Sequence, residues 1–467
     1  MENVKPMPRV LIAGANSGCG KTSITCGILK ALVNRELHIQ SYKCGPDYID
    51  PMLHSHITGR NCRNLDPFFS TGEDLRYLVG KDSQDVDFSV TEGVMGYYDG
   101  VGISCEKSTW TVSKETGTPT ILIFNVKGMS HTMIPLIKGM VEYQDNPIAG
   151  VILNRCSKGM YQLMKPEIEE KLGISVVGYF PQKEGIYIGS RHLGLMTAAE
   201  IDNLDEILSL LGETAEECID LDLLLEIGEK AEPLTAVKRP EVQAAEPQIS
   251  FHLEKPVRIG VAEDEAFCFY YKENLEILEQ LGAELCYFSP VNDVQLPEDT
   301  DGIYLGGGYP ETYRKELAEN LSMKESICEA AKAGKPIIAE CGGFMYVCNH
   351  LVETDDSSMD MLGLIDTDVH MTKRLSMQFG YVTLNALCDT AFFKKNTNIR
   401  AHEFHYSKAD KRGDSCEIKK YSGKCWNGLY VKENIMAGYP HFYFHNCREV
   451  AERFVDMAEK ISKNLSM

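Results

Sequence analysis

Short apolar runs recur along the first 180 residues of the chain: Val10-Leu11-Ile12, Ile39–Tyr42, Phe88–Val90, Thr120–Phe124, Ile148–Leu153 and Val176–Phe180. Each has the length of a buried strand, and the stretches between them are long enough for helices. Within residues 22–33, Ser23, Ile24, Cys26, Ile28, Leu29 and Leu32 recur at helical spacing. The alternation predicts an α/β fold with a mostly parallel sheet covered by helices on both faces. The rhythm resumes at Val257–Ala262, Glu284–Phe288, Gly302–Leu305 and Pro336–Ala339, which predicts a second α/β domain. Between the two, residues 231–255 are rich in Glu, Pro, Ala and Val and are punctuated by Pro233, Pro240 and Pro247, the composition of a linker. The expected domains are therefore residues 1–230 and 256–467.

In a parallel sheet, ligands bind beyond the carboxyl ends of the strands, so strand-end residues carry the chemistry. The first strand runs into Ala13-Gly14-Ala15-Asn16-Ser17-Gly18-Cys19-Gly20-Lys21-Thr22-Ser23. This reads as a phosphate-binding loop. Small residues, Gly18 and Gly20 among them, let the backbone wrap an anion, and a helix starting near Thr22 directs its N–H groups at the phosphates. Lys21 would reach the β/γ-phosphates, Thr22 would ligate Mg²⁺, and Ser23 would complete the nucleotide contacts. The pattern G-x-x-x-x-G-K-[ST] would require glycine at position 15, where Ala15 stands one step after Gly14.

Three further strand ends gather polar groups. Tyr42-Lys43-Cys44-Gly45-Pro46-Asp47-Tyr48-Ile49-Asp50-Pro51 offers Asp47 to a metal and Lys43 to a transferred phosphoryl group, on a loop stiffened by two prolines. A Pro-Asp turn with a solvated acid is the plainer alternative. The strand at Phe88–Val90 leads to Thr91-Glu92-Gly93-Val94-Met95-Gly96-Tyr97-Tyr98-Asp99-Gly100, where Glu92 is placed to be a second Mg²⁺ anchor. Its three glycines allow a loop that carries Asp99 to a substrate, although Asp-Gly is also a common turn. Asn154, after Val151-Ile152-Leu153, stands where a side chain would read a nucleotide base or close a turn. His54, Thr58-Gly59-Arg60, Asn64-Leu65-Asp66 and Arg191-His192 are individually weak signals.

In the second half, the strand ending at Ala339 runs into Glu340-Cys341-Gly342-Gly343-Phe344-Met345, a sharp strand-to-helix turn with cysteine at its apex. That arrangement exposes a nucleophilic sulfur, and a following helix N-terminus would depress the thiol pKa. The glycines Gly306, Gly307 and Gly308, with Gly342, would offer backbone N–H groups to an oxyanion. A base is required, and His441, His445, His402 and His405 are all available.

Charge and composition narrow the partners. The formal net charge is -21, which disfavours nucleic acid and anionic membranes as partners. No apolar run approaches the roughly 18 residues of a membrane span, and Met1–Pro8 lacks a signal-peptide core, so a cytoplasmic protein is expected. The sixteen cysteines form no C-x-x-C pair, which fits reduced, mostly buried thiols.

Together, the loop Gly14–Thr22, Tyr42–Pro51, Thr58-Gly59-Arg60, Asn64-Leu65-Asp66, Glu92–Gly100, Arg191–Leu195, Asp264–Tyr271, Tyr304–Glu311, Ala339–Tyr346 and His402–Ser407 resemble the cobyrinate a,c-diamide synthase family over nearly the whole chain. The resemblance implies a dethiobiotin-synthetase-like P-loop domain followed by a class I glutamine amidotransferase domain of the cysteine-histidine kind. It implies ATP and Mg²⁺, L-glutamine or ammonia as nitrogen source, and cobyrinic acid as substrate, amidated on its a and c side chains through acyl phosphates. A protected route for ammonia between the domains is expected, and a homodimer is a further implication. Lys43, Asp50, Arg60 and Asp99 would hold the macrocycle. The family's Tyr-x-His-x-His-Phe pattern stands here as Tyr439-Pro440-His441-Phe442-Tyr443-Phe444, so the base role passes to His441. No glutamate follows His441 at the two-residue spacing of other glutamine amidotransferases, and Glu403 is the residue named to orient it. Two alternatives stay open: the same chemistry on nickel-sirohydrochlorin, as in coenzyme F430 enzymes, and a P-loop regulatory ATPase with a vestigial amidotransferase domain.

Overall fold

The computed structural model describes residues 7–82, 85–183, 190–191, 194–195, 200–234, 256–374 and 378–465. The chain divides into two compact units, Met1–Gln243 and Ala244–Met467. Residues 235–255 of the expected linker, and His192 and Leu193, lie outside the described residues. Glu232 and Leu234 belong structurally with the first unit: Glu232 O accepts from the buried Arg9 guanidinium at 2.6 Å, and Leu234 is buried in its core.

The first unit is built on seven strands: β1 Arg9–Gly14, β2 Ile39–Cys44, β3 Arg63–Leu65, β4 Phe88–Glu92, β5 Thr120–Asn125, β6 Ile148–Asn154 and β7 Ser175–Phe180. They lie in the order β3-β2-β4-β1-β5-β6-β7, and every pair is parallel. β1 sits between β4 and β5, where the direction of winding reverses, and that is where a doubly wound sheet opens a crevice for ligand. Alternating residues serve opposite faces: Val10 and Ile12 enter one core, Leu11 and Ala13 the other. Burial on both faces explains why β1, β5 and β6 read as continuous apolar runs. β3 was legible only as a polar loop, because Arg63 and Asn64 mask a three-residue edge strand.

Helix α1, Lys21–Asn34, packs closely on the helix Leu204–Cys218. The contact is set by small residues. A Cβ on Gly27 would lie 2.8 Å from Leu211 O and 3.3 Å from Ala215 Cβ.

The second unit has a six-stranded sheet in the order Ala283–Phe288, Val257–Ala262, Gly302–Leu305, Ile337–Glu340, Ile435–Gly438, Tyr430–Lys432. The first five are mutually parallel and the last is antiparallel. Residues 348–428 depart from the expected α/β alternation. They form a four-stranded sheet and the greater part of a five-stranded antiparallel sheet, with polar and apolar residues alternating, as in Gly380–Ala386. The strand His441–Phe442 forms one edge of that five-stranded sheet, paired with Asn398–Glu403. Among the described residues, no helix is long and apolar enough to cross a membrane.

Gly27→Val would force a branched side chain into the backbone of Leu204–Cys218. The expected cost is about 1–3 kcal/mol, read as a lower urea midpoint for the first unit; an unchanged midpoint would contradict this packing.

Candidate active sites

At the end of β1 the chain turns so tightly that a Cβ on Gly14 would lie 2.3 Å from Cys19 Sγ. That crowding accounts for a glycine at 14, one step before its usual place. Gly18 and Gly20 take left-handed φ values of 73° and 99°, which favour glycine. Gly20 is constrained twice, since its Cβ would lie 2.2 Å from Asn154 Nδ2. Asn154 ends β6 and donates to Cys19 O at 2.6 Å, so its amide braces the loop backbone. Lys21 opens α1 with its Nζ 2.5 Å from Met95 O; burial, then Lys43, lowers its pKa. Tyr97 N–H donates to Gly14 O at 2.8 Å, which seats the loop after β4 against the first loop. Ser23 follows on α1, half-buried.

Beneath the loop lies a buried ionic cluster. Thr22 Oγ1 donates to Glu92 Oε1 at 2.8 Å and reaches Asp50 Oδ2 at 3.3 Å. Lys43 Nζ bonds Asp50 Oδ2, lies 2.8 Å from Glu92 Oε1 and 3.3 Å from Gly93 O. His54 Nε2 lies 2.9 Å from the other Glu92 oxygen, and both side chains are fully buried. Asp50 and His54 share one face of helix α2, Ile49–Thr58, being one turn apart. Burial disfavours every charge here, yet Lys43 and His54 outweigh it and hold the Glu92 carboxyl well below its ordinary value. Asp50, Glu92 and Asp47 likewise hold Lys43 above the usual lysine value despite burial. Burial, Asp47 and Glu92 push Asp50 up to about 7. Asp50, Glu92 and the Thr22 hydroxyl are hard-oxygen groups of the chemical kind Mg²⁺ takes, although among the described residues no three His, Cys, Asp or Glu side chains are grouped to hold a metal ion.

Asp47, Asp50, Arg60 and Asp99 stand in different surroundings. Asp47 Oδ1 accepts from the Ile49 and Asp50 N–H groups at 2.9 and 3.1 Å, so Asp50, expected on the macrocycle, is the acid drawn to Thr22 and Glu92. Arg60 is not brought to the loop. It follows α2, which runs back along the sheet, and its Nε donates to Gln40 Oε1 near the amino end of β2. Asp99 stays exposed at the rim, where its Oδ2 accepts from Gly96 N–H at 2.9 Å. His54, a weak signal in sequence, is the cluster's unforeseen member.

In the second unit, the strand Ile337–Glu340 ends at Cys341, whose φ of 48° and ψ of -97° form a strained elbow. Cys341 N–H donates to Gly438 O at 2.8 Å and Gly343 N–H to Gly306 O at 2.9 Å. The Gly306 N–H is already given to Tyr270 Oη at 2.8 Å, so Gly306 supplies no oxyanion donor. A Cβ on Gly342 would lie 3.0 Å from Gly308 N, and one on Gly307 would lie 2.4 Å from His441 Cε1. These three glycines therefore bring the elbow, the second strand-end loop and the imidazole together. The six-residue helix Gly342–Val347 does not depress the thiol as expected: burial, then the charges of Glu311 and Glu403, push it well up, against the Gly342 N–H.

His441 is buried, and burial, with His402 and His405, lowers its pKa to about 3. Its Nδ1 lies 3.7 Å from Glu340 Oε2. Glu403, expected to orient it, instead has its Oε2 3.7 Å from His405 Nε2, while His405 stacks on Tyr439.

A phosphate loop with a hard-oxygen cluster in one unit and a cysteine elbow beside a buried histidine in the other define a nucleotide-binding protein joined to a glutamine amidotransferase of the cysteine-histidine kind. Residues 10–193 match the CobQ/CobB/MinD/ParA nucleotide binding domain, and residues 258–449 match the CobB/CobQ-like glutamine amidotransferase domain. Cobyrinate a,c-diamide synthase of Clostridium tetani is 41% identical over 446 residues, 94% of this chain and 97% of that protein. The proteins of that name from Priestia megaterium and Thermoplasma volcanium are 36% and 35% identical, covering 97% and 98% of this chain and 98% of each relative. The chain belongs to the cobyrinate a,c-diamide synthase family, glutamine-dependent amidotransferase ligases.

Because His441 is neutral in the folded protein and would take up a proton near pH 6.5 once unfolded, the unfolded state binds more protons below that pH. Its contribution to stability is present above pH 6.5 and lost as pH falls toward 3. His441→Asn should therefore lose less melting temperature between pH 7.5 and 5 than the unaltered protein; an equal loss would contradict a buried neutral imidazole.

Proposed function

We propose that this protein amidates the a and c carboxylates of cobyrinic acid, using ATP and glutamine, in cobalamin biosynthesis. The observation that carries the reading is the presence, in one chain, of a phosphate loop and a cysteine elbow matching relatives of that name end to end.

At the elbow, Cys341 attacks the glutamine carboxamide while His441 takes its proton and returns it to the departing ammonia. The N–H groups of Gly308 and Gly342, which lie close together, would hold the oxyanion, with Gly307 against the imidazole. Water then hydrolyses the thioester to glutamate. The thiol is raised in the resting protein, so its proton leaves only as the base receives it and the sulfur bonds to carbon.

At the phosphate loop, the backbone of Gly18 and Gly20 cradles ATP, and Lys21 steadies the transferred phosphoryl group. Thr22, Asp50 and Glu92, with Asp47 adjoining, are the groups that would hold Mg²⁺, which when bound screens phosphate charge. A substrate carboxylate attacks the γ-phosphorus to form an acyl phosphate, and ammonia displaces phosphate to leave an amide. Lys43 holds Asp50 and Glu92 in register and adds positive charge beside the phosphates. Asp99, at the exposed rim, is the loop residue offered to the macrocycle.

Turnover with ATP and glutamine is to be followed by mass spectrometry, with cobyrinic acid and nickel-sirohydrochlorin as parallel substrates and Cys341→Ala alongside. The expected product is cobyrinic acid lighter by about one mass unit per amide, to a limit of two amides. The variant should lose glutamine use and keep ammonia use. Amidation of nickel-sirohydrochlorin alone would move the substrate to the other tetrapyrrole, and ATP hydrolysis without mass change on either would overturn the amidation reading in favour of a regulatory ATPase.

A further inference from the structure

The imidazole that receives the Cys341 proton needs a group behind it. A neutral imidazole accepts through one nitrogen only if the other carries hydrogen, and an acceptor at that hydrogen fixes the tautomer and offsets the imidazolium charge as it forms. At the position two residues past His441, where a glutamate would stand in other amidotransferases of this kind, this chain has the buried Tyr443.

The chain brings a different carboxylate. Glu340 is the last residue of its strand, so its side chain shares a face with Ile338 and points away from Ala339. Ile338 lies in the same core as Phe442 and Phe444. Glu340 is therefore buried, 2% exposed, under the edge strand that carries the histidine. One oxygen, Oε1, accepts from Phe442 N–H at 3.3 Å, and the Tyr304 hydroxyl also bonds the carboxylate. The other, Oε2, lies 3.7 Å from His441 Nδ1. Along the same segment, Asn274 donates to Phe442 O at 2.8 Å and accepts from Phe444 N–H at 2.7 Å. The segment 442–444 is thus held by two side chains, an amide that also reaches the Tyr304 hydroxyl and a carboxylate that also faces the imidazole.

We infer that Glu340, the residue immediately before the nucleophile, is the positioning residue for His441, turning Nδ1 toward itself and leaving Nε2 to exchange the proton with Cys341. The assignment rests on the amidotransferase reading above and names the residue that completes it. Nucleophile and orienting acid are then adjacent in sequence, at a turn where the backbone leaves the strand. No net proton is lost in the cycle: the thiol proton passes to Nε2, Glu340 faces the imidazolium, and the proton leaves with ammonia. The titratable groups around the pair are Tyr304, Tyr270 and Cys447 beside Glu340, and His402 and His405 beside His441. Burial pushes the Glu340 carboxyl up to about 8, so the charged form that faces imidazolium best accumulates as pH rises toward that value.

Glu340→Gln keeps the shape and the acceptor for Phe442 N–H but removes the charge. In the full-length protein, glutaminase kcat is expected to fall about 100-fold with the glutamine KM within about threefold, and Glu340→Asp is expected to recover at least a tenth of kcat. The ratio of glutamine-driven to ammonia-driven amidation should fall by the same factor, and the rise of kcat/KM between pH 6.5 and 8.5 should flatten in the glutamine variant. Asn274→Ser, which loosens the same strand and removes a hydrogen bond to Tyr304 but leaves the Glu340 carboxyl in place, serves as the structural control. Should Glu340→Gln fail to fold, ¹⁵N-histidine spectra of the unaltered protein give the tautomer directly, and an unprotonated Nδ1 on His441 would overturn the assignment. So would a Glu340→Gln kcat within threefold of normal, or an Asn274→Ser loss matching it in size and pH profile. Absence of glutaminase from the unaltered protein would instead overturn the amidotransferase reading and this inference with it.

Discussion

The contact between Lys43 and the pair Asp50 and Glu92 sets the terms for the first unit. A fully buried ammonium and two buried carboxylates sit at the carboxyl ends of β2 and β4, which are hydrogen-bonded neighbours, so the sheet register places Lys43 opposite Glu92. Desolvation makes each charge costly alone, and removing one partner of such a buried pair costs about 3–5 kcal/mol. The cluster therefore ties strand pairing, the docking of α2 through Asp50 and His54, and the start of α1 through Thr22 into one electrostatic unit. In the proposed chemistry, what the fold spends on burying these charges it recovers as a preorganised field beside the phosphates.

The second unit solves a different problem, presenting a soft nucleophile in an apolar setting. Cys341 is held in a sparsely populated backbone conformation because the parallel sheet fixes Glu340 against Gly438, and Gly342 after it and Gly308 facing it admit the turn. Burial disfavours the charged form of both thiol and imidazole, so in the proposed chemistry the nucleophile forms during attack rather than standing charged. The antiparallel strands of residues 348–428 supply the wall on which His441 stands; the sheet that carries the cysteine and the sheet that carries the histidine are separate.

Much of this was legible in sequence, for identifiable reasons. Two-sided burial makes β1, β5 and β6 contiguous apolar runs, and phosphate chemistry calls for Gly20-Lys21-Thr22 at the first strand end. Cys341 announced itself through the glycines that its elbow requires. Edge strands such as Arg63–Leu65 and the alternating strands after Val347 were hidden, because one polar face breaks the apolar run. Which acid serves which group was also hidden. Asp47 and Asp50 differ by one turn of a helix whose start depends on Asp47 itself, and Arg60 is carried off by the reversal of α2. Glu340 reaches His441 only through the pairing of distant strands, a contact of 101 positions that no local pattern encodes.

The claim on which the proposed chemistry turns is that ATP activates a substrate carboxylate as an acyl phosphate before nitrogen arrives. Cobyrinic acid labelled with ¹⁸O in its a and c carboxylates tests it directly, by mass analysis of the inorganic phosphate released. One ¹⁸O transferred to phosphate for each amide formed is the predicted result. Phosphate free of label, with amide formation intact, would contradict it.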